Sequence, residues 1–166
     1  MTRLLTLVVL GIAVAAVPIL GEARSKRIHV TAKVVESTFT GVDTAPKIGD
    51  QRITTVNLFD DNDKKVGTGV GVCTLVTTPD VTDPTPDALQ QCLLTAAFDE
   101  GHIIFGGITP LPAPGAESLL GILGGTEKFR KARGQALLVI TPEGDIDSTF
   151  DLEIDSARRH GEFAAQ

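Results

Sequence analysis

After residue 23, the sequence contains eight short β-rich runs separated by turn signals, and no long segment with helical periodicity. In the last run, residues 145–155, apolar side chains alternate with acidic and hydroxyl side chains. Alternation with a period of two is typical of a strand that buries one face and exposes the other. Many short strands joined by tight turns indicate an all-β barrel or sandwich, and short connections favour an up-and-down strand order.

Length and turn signals also predict the domain organisation. A chain of 166 residues is expected to form one domain. We assign residues 24–155 to it and interpret residues 156–166 as a polar tail. Inside it, the predicted strands cover residues 27–40, 50–60, 66–78, 89–99, 102–108, 118–123, 135–141 and 145–155.

The first 23 residues predict a secretory signal peptide. Arg3 precedes an apolar run from Leu4 to Leu20, and small residues flank Glu22 where a signal peptidase reads the chain. An uncleaved membrane anchor is the alternative, but the run is short for a spanning helix and contains Pro18. We therefore expect secretion, cleavage after Ala23, and no membrane association of the mature chain.

The net charge limits the kinds of partner that the protein can bind, and the cysteines bear on the redox state of its compartment. A formal net charge of −6 argues against a nucleic-acid partner. Export to an oxidising compartment favours a disulfide between Cys73 and Cys92, whose spacing fits no zinc pattern. If the third and fourth strands pair with their loop centred, these cysteines face each other. The same register places Gly71 opposite Leu94, so small residues face large ones.

Glu36 is the candidate catalytic residue. The alternation places it on the same face of the first strand as Val30, Ala32 and Val34, and no Lys or Arg lies two positions away to pair with it. A carboxylate enclosed among apolar side chains can act as a general acid or base near neutral pH. The alternative is that Glu36 reaches solvent at the rim near the strand end, or that a β-bulge turns it outward.

The segment from Gly124 to Leu138, GGTEKFRKARGQALL, resembles the late-strand signature of dirigent proteins. Gly71-Val72-Cys73 is similar to a strand of the related allene oxide cyclases. Weaker similarities to their second and third strands come from Gly49-Asp50, Asn57-Leu58-Phe59 and Val66-Gly67. The resemblance covers roughly residues 36–154. It implies an eight-stranded antiparallel up-and-down barrel that assembles as a trimer and needs no metal or nucleotide cofactor.

The resemblance also implies a function. Both families hold a reactive molecule inside the barrel in one shape, so we expect a hydrophobic small molecule in the lumen and steering of its cyclisation or isomerisation. Glu36 and Cys73 match a first-strand carboxylate and a lumenal cysteine of allene oxide cyclases. Asn57 is expected to line the same cavity. His102, at the start of the fifth strand, is a candidate binding residue at a barrel mouth, although its position beside a turn favours an exposed histidine.

Two departures from these families leave the substrate open. The chain has no tyrosine, although both families place tyrosine in the pocket. Phe105-Gly106-Gly107 stands where dirigent proteins carry an arginine. A non-catalytic secreted barrel that binds a lipid-like ligand, or a structural oligomer, is therefore the alternative function.

Two further expectations concern packing. The third and fourth strands are apolar on both faces, which predicts that a second copy of the chain covers the outer wall. Phe129 is the only large apolar side chain between Thr126 and Gly134. We expect it to anchor this connection to the core.

Overall fold

The structure, a computed structural model, describes residues 23–41, 47–77 and 88–155. It confirms the predicted fold, because eight antiparallel strands pair in sequence order and β1 also pairs with β8 to close a barrel. The strands are β1 (Ala23–Phe39), β2 (Gln51–Phe59), β3 (Lys65–Leu75), β4 (Leu89–Phe98), β5 (Gly101–Pro110), β6 (Glu117–Gly125), β7 (Arg133–Ile140) and β8 (Ile146–Asp155). A short 3-10 helix, Glu127–Phe129, connects β6 to β7.

Three of the predicted segments lie wholly or mostly outside the residues that the structure describes. The signal peptide up to residue 22, the centre of the Pro- and Asp-rich loop after β3, and the polar tail lie outside the described residues. Within the described ranges, no helix is long and apolar enough to cross a membrane.

The inner faces of the strands follow the predicted alternation. Val30 and Ala32 of β1 are buried in the barrel core together with Phe150 and Leu152 of β8. The acidic residues between the inward positions of β8 lie on the opposite face, as in Asp151, which pairs with Arg27 outside the barrel. Period-two patterning therefore determines which side chains fill the barrel.

A β-bulge interrupts the alternation in β1. Val34 pairs with Val56 of β2, but the next pair joins Glu36 to Thr55, so Val35 is an extra residue on β1. An extra residue shifts the alternation by one position. The inner face beyond the bulge consequently carries Ser37 in place of Glu36.

Four phenylalanines fill the lower half of the barrel. The ring centroids of Phe105 and Phe150 are 5.1 Å apart, those of Phe150 and Phe98 are 6.4 Å apart, and those of Phe98 and Phe129 are 5.9 Å apart. Tilted and edge-on arrangements at these distances are favourable for aromatic pairs. Phe129 is only 1 % exposed, which confirms that it anchors the connection between β6 and β7. We call this end of the barrel the base.

The hairpin of β3 and β4 has the predicted register. Cys73 pairs with Cys92 and the two form a disulfide, with Cα atoms 4.0 Å apart. Gly71 lies opposite Leu94 on the same ladder. A centred loop predicted this register, and the small-against-large pattern of the sequence agrees with it.

Candidate functional site

A cavity of about 310 Å³ occupies the half of the barrel above the base. Its floor is formed by Leu58, Ala96, Phe105 and Phe150. Exposed residues at its upper end, including Val34 and Ser37, connect it to solvent. Its volume falls at the lower end of the range of about 300–1,000 Å³ that is usual for small-molecule sites.

Glycines on the inner face of β3 make room for this cavity. A Cβ atom added to Gly71 would lie 2.9 Å from Cδ2 of Leu94, and one added to Gly69 would lie 2.8 Å from Cγ2 of Val56. Both glycines border the cavity, and Ala32 and Ala96 add further small side chains. The period-two glycines that the sequence shows in β3 therefore remove side-chain volume from one wall.

The lining is mostly apolar with a few polar groups. The residues with hydroxyl groups are Ser37, Thr54, Thr95 and Ser148, and the only charged side chain among the described lining residues is that of Arg52. None of those residues is an aspartate, a glutamate or a histidine. The lining that the structure describes can therefore donate hydrogen bonds, but it supplies no side chain that exchanges a proton near neutral pH.

Arg52 begins the inner face of β2 and is half-buried. Its Nη2 donates a hydrogen bond to Oε1 of Gln90 at 3.4 Å, while its Nε is buried without a hydrogen-bond partner. Burial lowers the pKa of the Arg52 guanidinium below its ordinary value. No ion pair of Arg52 with a carboxylate occurs in the described ranges.

A polar group behind Arg52 holds its hydrogen-bond acceptor in place. Nε2 of Gln90 donates to Oγ1 of Thr109 and to the carbonyl oxygen of Pro110, each at 3.1 Å. Gln90 and Thr109 are both buried. These residues, Arg52 and the disulfide line a second cavity of about 70 Å³. Because the amide N–H groups of Gln90 are occupied, its oxygen is directed at the guanidinium.

Cys73 is the one predicted binding residue that lies on the cavity lining, where it forms half of the disulfide. The predicted lumenal position of Glu36 is wrong. Its side chain is exposed and does not line the cavity, because the bulge at Val35 turns it away from the inner face. The sequence alone carries no clear signal for the position of that bulge.

The predicted lumenal position of Asn57 is also wrong, and His102 occupies the surface position beside a turn instead of lining the cavity. Val56 and Leu58 line the cavity, so Asn57 between them belongs to the outer face of β2. His102 is exposed beside the turn between β4 and β5, and its backbone N–H donates to Oγ1 of Thr126 at 2.9 Å. This turn lies at the base, so the surface alternative for His102 is the correct one.

Arg52 is the residue that the sequence interpretation missed. A signal for it was present, because Arg52 is in phase with Thr54, Val56 and Leu58 on one face of the predicted second strand. A single cation in phase with an apolar inner face indicates either a strand end or a buried charge. In the structure, Arg52 lies at the end of β2 and is also half-buried.

The fold is similar to that of several solved structures. A pyocyanin demethylase has a TM-score of 0.64 and 24% identity, and the match covers 76% of this chain and 99% of that one. An exo-specific intermolecular Diels–Alderase has a TM-score of 0.60 and 14% identity, covering 78% of this chain and 98% of the other. A Diels–Alderase from Streptomyces koyangensis has a TM-score of 0.62 and 17% identity, covering 78% of this chain and 64% of its own length.

These likenesses show a shared barrel fold. No protein-family model matches the sequence, and no match is found among curated proteins. The structures named here include neither an allene oxide cyclase nor a dirigent protein, so the resemblance of the sequence motifs to those families stays a prediction.

Proposed function

We propose that this protein binds an apolar small molecule in the barrel cavity and holds it in a folded shape from which it cyclises or isomerises. The observation that carries the proposal is the cavity of about 310 Å³, which has a mostly apolar lining and reaches exposed residues such as Val34 and Ser37 at its upper end. A flexible chain held in such a space loses its extended conformations before it reacts. An intramolecular cyclisation or isomerisation conserves all atoms and electrons, so it needs no co-substrate.

The composition of the lining limits the chemistry that we propose. Without a described carboxylate or histidine in the cavity, confinement and hydrogen-bond donation remain as the sources of acceleration. Ring formation in a barrel of this fold is supported by the names of three neighbours: two are Diels–Alderases, one of them intermolecular, and one is a heme-binding cyclase that catalyses a cycloaddition. Sequestration of the ligand without turnover is the alternative, which the same lack of acid–base groups favours.

A matched pair of variants tests whether the cavity is the binding site. Thr54 lines the cavity, and its neighbour Thr55 does not. Phenylalanine suits a strand at either position. We expect Thr54→Phe to weaken binding of the fluorescent apolar probe N-phenyl-1-naphthylamine at least about tenfold, or about 1.4 kcal/mol. Thr55→Phe should leave its Kd within about twofold, or about 0.4 kcal/mol.

An equal loss in both variants, or no loss in either, would place the probe elsewhere and overturn the proposed binding site. Turnover is tested separately with a linear conjugated polyene acid. Loss of its ultraviolet absorbance in the presence of protein, without change of mass, would report cyclisation. An unchanged spectrum for every polyene that binds would favour sequestration.

We also propose that the mature protein is secreted and forms a homotrimer through its outer wall. Leu93, Ile108, Leu119 and Leu123 are large apolar side chains that are each more than half exposed on neighbouring strands β4, β5 and β6. A patch of this kind on one side of a barrel fits burial against another copy. Light scattering of the secreted protein should give three times the chain mass, and a monomer at micromolar concentration would contradict the assembly.

A further inference from the structure

We propose that Arg52 recognises an acidic head group, so that the cavity takes an apolar molecule carrying one anionic oxygen group near the barrel mouth. This inference rests on the proposed function and specifies the class of ligand. Its basis is the position of Arg52, which borders both the large cavity and the small one behind it.

The guanidinium has unused hydrogen-bonding capacity. A guanidinium carries five N–H donors. The described part of the chain provides Arg52 with one side-chain acceptor, Oε1 of Gln90, and its Nε stays buried without a partner. Buried polar groups are almost always hydrogen-bonded in proteins, so an unpaired Nε in a residue that lines both cavities suggests that the guanidinium lacks an acceptor.

The charge balance supports the same conclusion. Burying a cation without a counter-ion is costly. The other arginine and lysine pairs that the structure describes all lie on the surface, for instance Arg27 with Asp151 and Lys26 with Glu100. Arg52 has no such partner within the described ranges, so an anionic ligand would supply the missing negative charge.

The surroundings of Arg52 hold it ready for this role. Gln90 is a positioning residue, because its amide group is fixed by Thr109 and Pro110 while its oxygen accepts from the guanidinium. A fixed guanidinium loses less conformational entropy on binding. Planar oxygen anions such as a carboxylate or an ionised enol match its fork geometry.

The orientation of the ligand follows from the two ends of the cavity. Arg52 lies at the first inward position of β2, near the mouth, whereas Phe105 and Phe150 form the floor. An acidic group at the mouth would keep part of its hydration. The apolar remainder would extend towards the phenylalanines, where burial is favourable.

Two probes with the same aromatic skeleton test the proposal. 8-Anilinonaphthalene-1-sulfonate carries an anionic group that N-phenyl-1-naphthylamine lacks, and the chain has no Trp or Tyr to compete in fluorescence. We expect Arg52→Met to weaken sulfonate binding at least about tenfold, which corresponds to about 1.4 kcal/mol. Binding of the neutral probe should stay within about twofold of the parent protein.

Arg133→Met is the matched control, because it removes the same charge from an exposed position on β7. It should leave both affinities unchanged. Arg52→Lys keeps the charge but not the planar fork, so its sulfonate affinity should fall between those of the parent protein and Arg52→Met. An equal loss of both probes in folded Arg52→Met, or no loss of the sulfonate, would overturn the proposal.

A measurement on the unaltered protein covers the case in which Arg52→Met fails to fold. Decanoate and decanol have the same chain length and differ in charge, so each is used to displace N-phenyl-1-naphthylamine. Decanoate should compete at least about tenfold better, or about 1.4 kcal/mol. Equal or weaker competition by decanoate would refute anion recognition while leaving the apolar site intact. Failure of the neutral probe to bind at all would instead contradict the proposed function.

Discussion

The two ends of the barrel are built from the same strands, but the base is a packed core and the upper half encloses a cavity. At the base, the ring of Phe98 packs against the rings of Phe129 and Phe150. In the upper half, Gly69 and Gly71 leave one wall without side chains, and a cavity results. Strand number sets the width of a barrel, but the sizes of the inward side chains decide whether it is filled.

The largest expected effect is at the base. Phe150 is 1 % exposed and contacts both Phe98 and Phe105. Truncation to alanine removes these contacts and leaves a hole, so Phe150→Ala should lower the free energy of unfolding by about 3–5 kcal/mol. Urea denaturation followed by far-ultraviolet circular dichroism measures this. Phe39→Ala, at an exposed position, should change it by less than about 0.5 kcal/mol. Similar losses in both variants would contradict the distinction between a packed base and a solvated rim.

At the container end, added volume should affect binding more than folding. In Gly71→Val the new side chain enters the cavity. Leu94 must shift, because a Cβ atom at position 71 would lie only 2.9 Å from Cδ2 of Leu94. We expect a loss of about 1–3 kcal/mol in stability from the crowding. Affinity for N-phenyl-1-naphthylamine should fall at least about tenfold, or about 1.4 kcal/mol. Val72→Ile, on the adjacent outward position, is the control that should leave the affinity unchanged. Normal binding by Gly71→Val would mean that the glycines do not shape the ligand site.

The smallest expected effect is electrostatic and again lies at the base. Hydrogen bonds from Lys128 and then from Lys26 lower the pKa of the Glu100 carboxyl. A carboxyl group with a lowered pKa in the folded state stabilises the fold above its unfolded pKa of about 4.3, and this stabilisation is lost as the pH falls through the lower folded value. Between pH 7 and pH 3, the free energy of unfolding should fall slightly less in Glu100→Gln than in the parent protein. An acid dependence in Glu100→Gln equal to or stronger than that of the parent protein would refute the assignment.

The site residues also differ in how far the sequence could predict their positions. The pairing of Cys73 with Cys92 and of Gly71 with Leu94 was correctly predicted because both depend on one hairpin, whose register follows from local alternation and loop symmetry. Asn57 was misplaced although the alternation of β2 could have excluded it. Glu36 was misplaced for a deeper reason, since the bulge at Val35 exists only in the pairing of β1 with β2.

The sequence by itself determined the number of strands, their order, the inward residues of most strands and the disulfide. These are consequences of a period-two pattern and of short connections, and both are local properties of the chain. The tertiary structure decided where β1 carries an extra residue, which half of the barrel stays empty, and that Arg52 lies in the lining with an unpaired Nε. Those features depend on side chains from several strands meeting across a closed barrel, and no local pattern specifies how much space they leave between them.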